Sequence, residues 1–166
     1  MHIGMKLIVS GIAERMLLMI ENYLIKIAAV FAFMTIGTFA FGGDIEVEML
    51  NKRDDGAKMV YSLDIVDVKG GQSVTWVPTD KGHNVEFIAG PDSAVLPKKS
   101  KMNKSFTYTF NVPGVYLYQC TPHKSMGMIG LVVVDGNTIN KDLIAANKKV
   151  KGKSKKKLAK LIAELN

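Results

Sequence analysis

Hydrophobic and polar residues alternate along the middle of the chain in a way that is typical of short β-strands. Ile45, Val47 and Met49 are apolar, whereas the residues between them are acidic, as in a strand with one buried face. Further runs rich in β-branched and aromatic residues follow at 59–63, 73–77, 85–88, 105–110, 115–120 and 128–134. Glycine, proline and aspartate separate these runs, so we predict an antiparallel sandwich or barrel of about 95 residues.

The end of the chain changes to a helical pattern. Four apolar residues recur there at helical spacing, namely Leu158, Leu161, Ile162 and Leu165. They predict an amphipathic helix with Ser154 as its N-terminal cap. A shorter helix around Leu143, Ile144 and Val150 precedes it and is broken near Gly152. Lysines are concentrated at 148–160, and we interpret them as the solvated outer face of the helix rather than as a nucleic-acid or membrane patch.

An uncharged apolar run precedes the first strand. Residues 27–43 contain no charged residue, and this run is shorter than the roughly 20 residues that span a bilayer. We therefore predict that residues 1–42 are a secretory signal peptide, cleaved after Gly42, with Ala40 as the second choice. An uncleaved anchor is the alternative. A further hypothesis is that translation starts after the first 15–18 residues, at one of two later methionines.

Length and charge narrow the function classes. The 166 residues carry 22 Lys+Arg, 15 Asp+Glu, three His and one Cys, which suits a single globular domain without an internal disulfide. The formal charge of +7 is uneven: residues 43–140 carry ten basic and eleven acidic residues, and residues 141–166 carry nine and two. We predict a sandwich over 43–140 and a helical extension of the same domain over 141–166, and the sandwich is nearly neutral.

The only cysteine lies in a segment with metal-binding residue types. Cys120 is followed by His123 and Met128, and His83 stands in the segment GHN 37 residues before the cysteine. A thiolate, two imidazoles and a distant thioether are the ligands of a mononuclear electron-transfer copper. A histidine at +3 and a methionine at +8 from a lone cysteine occur together by chance at a frequency of about 0.1%. The spacing therefore indicates a metal site on the loop after the 115–120 strand.

The sequence around these residues resembles the cupredoxin family and, within it, the pseudoazurins. The resemblance lies in WVPTDKGHNVE, VPGVY and YQCTPHKSMGMIGLVVV, and it extends over nearly all of residues 44–166. It implies an all-β fold, a cupredoxin Greek-key β-sandwich with two C-terminal helices packed on it. It also implies one type 1 copper ion per chain. The family's ligands correspond to His83, Cys120, His123 and Met128.

Two further assignments follow from the resemblance. Met126 competes with Met128 for the axial position, but the eight-residue spacing from Cys120 that pseudoazurins use favours Met128. Asn84 corresponds to a residue whose amide ties the two ligand loops together near Thr121, and such outer contacts fix the orientation of ligands.

The function implied by the resemblance is that of a periplasmic blue copper electron carrier. Its partners would be redox proteins of the cytochrome c, nitrite reductase or nitrous oxide reductase classes. They would dock on an apolar patch around His123 formed by Met59, Pro122 and Met126. Around this patch the family places lysines, which correspond here to Lys52, Lys81, Lys98, Lys99 and Lys101. We expect a monomer that binds no nucleic acid and no membrane after signal cleavage.

Three alternatives stay open from the residues alone. A copper enzyme would need more histidines, because only two remain after the leader and both are assigned to one metal ion, so we predict that the protein is not an enzyme. A copper store or chaperone would use labile, exposed methionine or cysteine motifs. Zinc also accepts cysteine and histidine, but it supports no redox function.

Overall fold

The computed structural model describes residues 45–165. The predicted signal peptide, its cleavage site and the alternative translation starts lie outside the described residues. No helix within 45–165 combines the length and the apolar character needed to cross a membrane.

Within this part of the chain, eight strands form two four-stranded sheets. The strands are β1 (Ile45–Lys52), β2 (Lys58–Tyr61), β3 (Ile65–Val68), β4 (Ser73–Val77), β5 (Glu86–Ala89), β6 (Phe106–Thr109), β7 (Gly114–Gln119) and β8 (Ile129–Val134). The first sheet has the order β2-β1-β4-β6 and the second the order β3-β8-β7-β5. All seven predicted strands are present, and each begins within one residue of the predicted run. The predicted β-sandwich is confirmed.

The expectation of antiparallel pairing throughout was wrong for two strand pairs. β1 and β4 pair in parallel, with Ile45 opposite Val74, and β3 and β8 pair in parallel, with Ile65 opposite Leu131. Parallel neighbours need a crossover connection, and here the chain leaves the first sheet after β2, forms β3 in the second sheet and returns as β4. Local hydrophobic alternation is the same for both kinds of pairing, so the sequence pattern could not distinguish them.

β3 is the strand that the sequence analysis missed. Its four residues alternate in burial, with Val66 and Val68 buried and Asp67 exposed. A run this short gives little periodicity, and its strand conformation depends on the ladder with β8 along one edge of the second sheet.

The core between the sheets is rich in aromatic rings. Trp76 packs edge-on against Tyr118 with ring centroids 5.1 Å apart, and Tyr61 contacts Tyr118 at 4.8 Å. Cys120 and Met128 belong to the same buried cluster. The candidate metal ligands therefore lie at one end of a tightly packed core.

Two helices cover the outer face of the second sheet. They are α1 (Lys141–Ala145) and α2 (Lys153–Glu164). Both predicted helices are present, but α1 ends at Ala145, and Val150 is buried in the connection between the two helices instead. Their apolar residues form a second buried cluster with residues of β7 and β8. Because one face of β7 and β8 meets the core and the other meets the helices, every residue of both strands is buried. Most of the lysines at 148–160 point to solvent, as expected, and Lys157 also bonds Asp64 at 2.6 Å.

Ser154 does not cap α2 as predicted. The helix begins at Lys153 after Gly152, so Ser154 lies inside the first turn and no side-chain cap is formed. Its hydroxyl instead accepts a hydrogen bond from the backbone N–H of Gly127. Serine is a common helix cap, but the Ser154 hydroxyl oxygen is already bonded to the loop before β8.

Candidate metal centre

The cysteine loop joins two adjacent antiparallel strands. Cys120 directly follows β7, and Met128 directly precedes β8. The Cys120 N–H donates to the Met128 carbonyl at 3.0 Å and closes the base of the loop. His83 lies on the separate connection between β4 and β5, and the sandwich brings this connection to the same end of the core.

The side chains of His83, Cys120 and His123 converge. The Cys120 Sγ lies 3.7 Å from Nδ1 of His83 and 3.4 Å from Nδ1 of His123, and all three ligand atoms lie within 4.8 Å of one another. His83 and Cys120 are completely buried, whereas His123 is partly exposed. Within residues 45–165 this is the one group of three such side chains that could hold a metal ion.

These separations fit a single metal ion. Nitrogen and sulfur donors at about 2.0–2.3 Å from one ion lie roughly 3.5 Å apart at tetrahedral angles, close to the two distances from the Cys120 sulfur. Two imidazoles and one thiolate also match the in-plane donors of a blue copper site. The residues present therefore fit copper both in donor type and in spacing.

The two candidate axial methionines lie in different surroundings. Met128 is completely buried in the cluster that contains Cys120. Met126 is 49% exposed and lines a surface groove of about 520 Å³ beside Lys58, Lys153 and Lys160. Met128 thus lies in the core with Cys120, and Met126 lies at the surface. This arrangement agrees with the preference for Met128 over Met126 as the ligand.

Burial shifts the titration of all three converging side chains. It raises the pKa of the Cys120 thiol, and backbone hydrogen bonds from Asn84 and His123 act in the opposite direction. Burial lowers the pKa of His83 and that of His123. The nearby His123 lowers the pKa of His83 further. Both imidazoles therefore favour the neutral form that binds metal, and amide donors help to stabilise a thiolate.

Asn84 connects the two ligand loops in the way that the resemblance implied. Its Oδ1 accepts the Thr121 N–H at 2.8 Å, and its Nδ2 donates to the Thr121 hydroxyl at 3.0 Å. Asn84 is 2% exposed, and its carbonyl accepts the Tyr61 hydroxyl at 2.9 Å. The residues that follow His83 and Cys120 are therefore held together by a buried amide.

The sequence analysis missed Asn51, which contacts His83. The Asn51 Oδ1 lies 3.0 Å from Nε2 of His83. Because an amide oxygen only accepts, this assignment places the ring proton on Nε2, and Nδ1 keeps a lone pair that faces Cys120. The Asn51 backbone N–H donates to Asp80 at 2.6 Å. Asn51 and His83 are 32 positions apart, and no local sequence pattern around Asn51 indicates that it contacts His83.

Asn103 is a second residue that the sequence did not reveal. Its side-chain oxygen accepts the Gly82 N–H at 2.6 Å, and its own N–H donates to the His83 carbonyl at 2.9 Å. It adopts a positive φ of 57°, which asparagine tolerates better than most residues. The His83 loop is therefore fixed on one side by Asn51 and on the other by Asn103.

The residues of the expected docking patch differ in exposure. Pro122 and Met126 are exposed, and Met59 is partly buried. Lys99 and Lys101 line a shallow groove of about 550 Å³ together with Pro122. The remaining lysines of the expected ring are also exposed, namely Lys52, Lys81 and Lys98.

A two-sheet sandwich that buries a cysteine between two histidines at one end has the fold and the donor set of a blue copper protein. The sequence profile of the plastocyanin/azurin family of copper-binding proteins matches residues 47–135. The chain belongs to this family and, within it, to the pseudoazurins. Members of this group are electron carriers rather than enzymes, which supports a blue copper electron carrier here.

Relatives with known names and structures support this placement. The pseudoazurin of Paracoccus pantotrophus is 39% identical over 144 residues, which covers 84% of this chain and 95% of the relative. The crystal structure of native pseudoazurin from Hyphomicrobium denitrificans aligns with a TM-score of 0.68 at 38% identity, covering 74% of this chain and 98% of that one. The crystal structure of pseudoazurin from Methylobacterium extorquens AM1 aligns with a TM-score of 0.66 at 36% identity, covering 75% of this chain and 100% of that one.

Proposed function

We propose that this protein carries single electrons between redox proteins outside the cytoplasm, with His83, Cys120, His123 and Met128 as the ligands of one copper ion. The observation that carries the proposal is the convergence of a buried thiol and two imidazoles within 4.8 Å, with the buried Met128 in the same cluster. Copper bound there supplies one-electron chemistry by cycling between Cu(I) and Cu(II).

The protein's own contribution is to hold the donors and to exclude water. The Asn51 contact orients the His83 ring with Nδ1 toward Cys120. The hydrogen bonds of Asn84 to Thr121 fix the position of the His83 loop relative to the cysteine loop. Complete burial of His83 and Cys120 keeps solvent away from the sulfur, and solvent exclusion is one of the factors that set a reduction potential.

Partner proteins exchange electrons at the His123 face. Of the three converging side chains, His123 is the one that reaches the surface, and the apolar residues Pro122 and Met126 beside it are exposed. A small apolar patch suits the transient encounters of electron-transfer proteins. The surrounding lysines steer acidic partners toward it and raise the association rate in a salt-dependent way.

Membership of the family supports a proposal for the partner classes and the compartment. We assign the partners to the cytochrome c, nitrite reductase and nitrous oxide reductase classes, and the compartment to the periplasm. Residues 1–42 act as the export signal, so the mature protein begins at residue 43. Separately, we expect the mature protein to be a monomer. Mass spectrometry of the N-terminus after expression with the leader tests this part separately.

The ligand assignment is tested by removing the thiol. The copper-loaded wild-type protein is expected to show intense visible absorption, and Cys120→Ser is expected to lose this absorption and most of the copper affinity. Thr121→Ser is a matched control, because it changes the next residue but keeps its hydroxyl and its N–H. A Cys120→Ser protein that stays blue would refute the assignment.

A kinetic experiment separates a carrier from a copper store. We expect stopped-flow mixing with a reduced c-type cytochrome to bleach the blue band much faster than a chelator removes copper. Electron transfer no faster than the loss of copper would favour storage instead.

A further inference from the structure

The first turn of α2 holds the loop between His123 and Met128 from outside the sandwich. The Lys153 N–H donates to the Ser125 carbonyl at 2.9 Å, and the Ser154 hydroxyl accepts the Gly127 N–H at 3.1 Å. Two successive helix residues therefore fix two positions of the ligand loop.

The contact with Ser154 satisfies a backbone group that the loop itself leaves open. The His123 N–H bonds the Cys120 carbonyl, and the Met126 N–H bonds the His123 carbonyl. The Gly127 N–H instead bonds the side chain of Ser154, and both residues are buried. Buried backbone donors need a partner, so the backbone immediately before Met128 depends on this hydroxyl.

The chain that leads into α2 approaches the loop closely. Gly152 has a φ of 60°, and a Cβ built on it would lie 2.6 Å from the Ser125 carbonyl oxygen. Only glycine accepts both the backbone conformation and this approach. The contact between the helix start and the loop is therefore tight on two sides, at Ser125 and at Gly127.

The helix that provides these contacts is itself firmly attached. Leu158 and Leu161 are buried in the cluster between α2 and the second sheet, and Lys157 bonds Asp64 at 2.6 Å with both side chains partly buried. A support anchored in this way transmits its position to the loop, whereas a frayed terminal helix could not.

We propose that Ser154 is a positioning residue for the metal centre. By holding the Gly127 N–H, it fixes the point at which the Met128 side chain leaves the loop, and through it the placement of the thioether relative to Cys120. The C-terminal helix thus tunes the copper site without touching it. This inference rests on the proposed function, because it takes Met128 as the axial ligand.

Three variants test the role. Ser154→Ala removes the acceptor and suits a helix, and Ser154→Thr restores a hydroxyl. Ile144→Ala removes a buried side chain of α1 and leaves the residues that anchor α2 and contact Gly127 unchanged. We expect Ser154→Ala to raise the copper dissociation constant about 10-fold, as is typical when a contact behind a ligand is lost. We also expect shifts in the relative intensities of the visible bands and in the reduction potential.

The control variants separate positioning from general stability. Ser154→Thr should restore the wild-type spectrum, and Ile144→Ala should lower the thermal midpoint with the spectrum and the potential unchanged. A Ser154→Ala protein whose copper affinity, spectrum and potential all equal those of the wild type would overturn the proposal. So would an Ile144→Ala protein with the same spectral change as Ser154→Ala, because the effect would then come from a general loss of stability.

A measurement on the metal-free proteins keeps the test independent of copper. The Gly127 amide of the wild type should exchange its hydrogen much more slowly than the exposed Lys124 amide, and Ser154→Ala should speed this exchange at least 10-fold. Equal rates for Gly127 and Lys124 in the wild type would refute the contact even if no variant folds. A wild-type protein that is not blue would contradict the proposed function and leave this exchange result to decide the contact.

Discussion

The buried amide of Asn84 offers the sharpest test of how the protein holds its two ligand loops. Asn84→Ala removes two hydrogen bonds to Thr121, at 2.8 and 3.0 Å. Each such bond contributes about 1 kcal/mol net, and a poorly solvated N–H left without its partner costs about 1 kcal/mol more. We therefore expect the free energy of unfolding of the metal-free protein to fall by about 3 kcal/mol.

This loss is large enough to measure in two ways. For a domain of this size, 1 kcal/mol corresponds to roughly 4 °C in the unfolding midpoint, so the midpoint should fall by about 12 °C. Urea unfolding should show a lower midpoint concentration with an unchanged slope, because the surface exposed on unfolding stays the same. Competition with a chelator should show copper binding weakened 10- to 100-fold, since the ligand loops lose their connection.

A double-mutant cycle assigns the effect to the bridge. Thr121→Val removes the hydroxyl that accepts from Asn84 but keeps the backbone N–H, so the coupling between Asn84→Ala and Thr121→Val should be about 1 kcal/mol. Additive losses would show that the side-chain pair does not interact. A loss below about 0.5 kcal/mol in Asn84→Ala, with copper affinity within twofold of the wild type, would refute the bridging role altogether.

Two further predictions concern the potential and the docking face. Met128→Gln should keep the copper and lower the reduction potential measured by redox titration, because a harder axial donor favours Cu(II); a rise would point to another axial ligand. Lys81→Glu with Lys99→Glu should slow reduction by an acidic partner in stopped-flow experiments at low salt, and the difference should shrink at high salt. Lys148→Glu with Lys149→Glu makes the same charge change at exposed sites outside the expected ring, and an equal slowing there would show that net charge rather than the ring steers the partner.

The local sequence pattern was sufficient to predict most of the strands and the types of side chain that converge at the site. The predicted strand starts lie within one residue of the observed ones. They were predicted from alternating apolar and polar residues, as at Ile45 to Met49, or from dense runs of β-branched and aromatic residues, as in β4 and β7. The ligand spacing from Cys120 was visible because three of the four proposed ligands share one short loop. These are features in which nearby residues carry the information.

The features that escaped prediction depend on distant parts of the chain. β3 is stabilised by pairing with β8, some 65 residues later. The Asn51 contact with His83 and the Ser154 contact with Gly127 join residues 32 and 27 positions apart. Ser154 was misassigned for the same reason, because its residue type suits a helix cap and only the tertiary structure shows where its hydroxyl goes.

The three supports of the cysteine loop act from three directions, and together they explain how the donors keep their spacing. The Cys120 N–H bonds the Met128 carbonyl at the base of the loop, Asn84 holds Thr121 from the neighbouring histidine loop, and α2 holds Gly127 through Ser154. A loop fixed at its base, near its start and near its end has little freedom to follow a change in the charge of a bound ion. Because Cu(I) and Cu(II) prefer different ligands and geometries, a rigid compromise between them keeps structural rearrangement small on electron transfer. The hydrogen bonds around the ligands therefore suit the proposed electron transfer better than storage or release of copper.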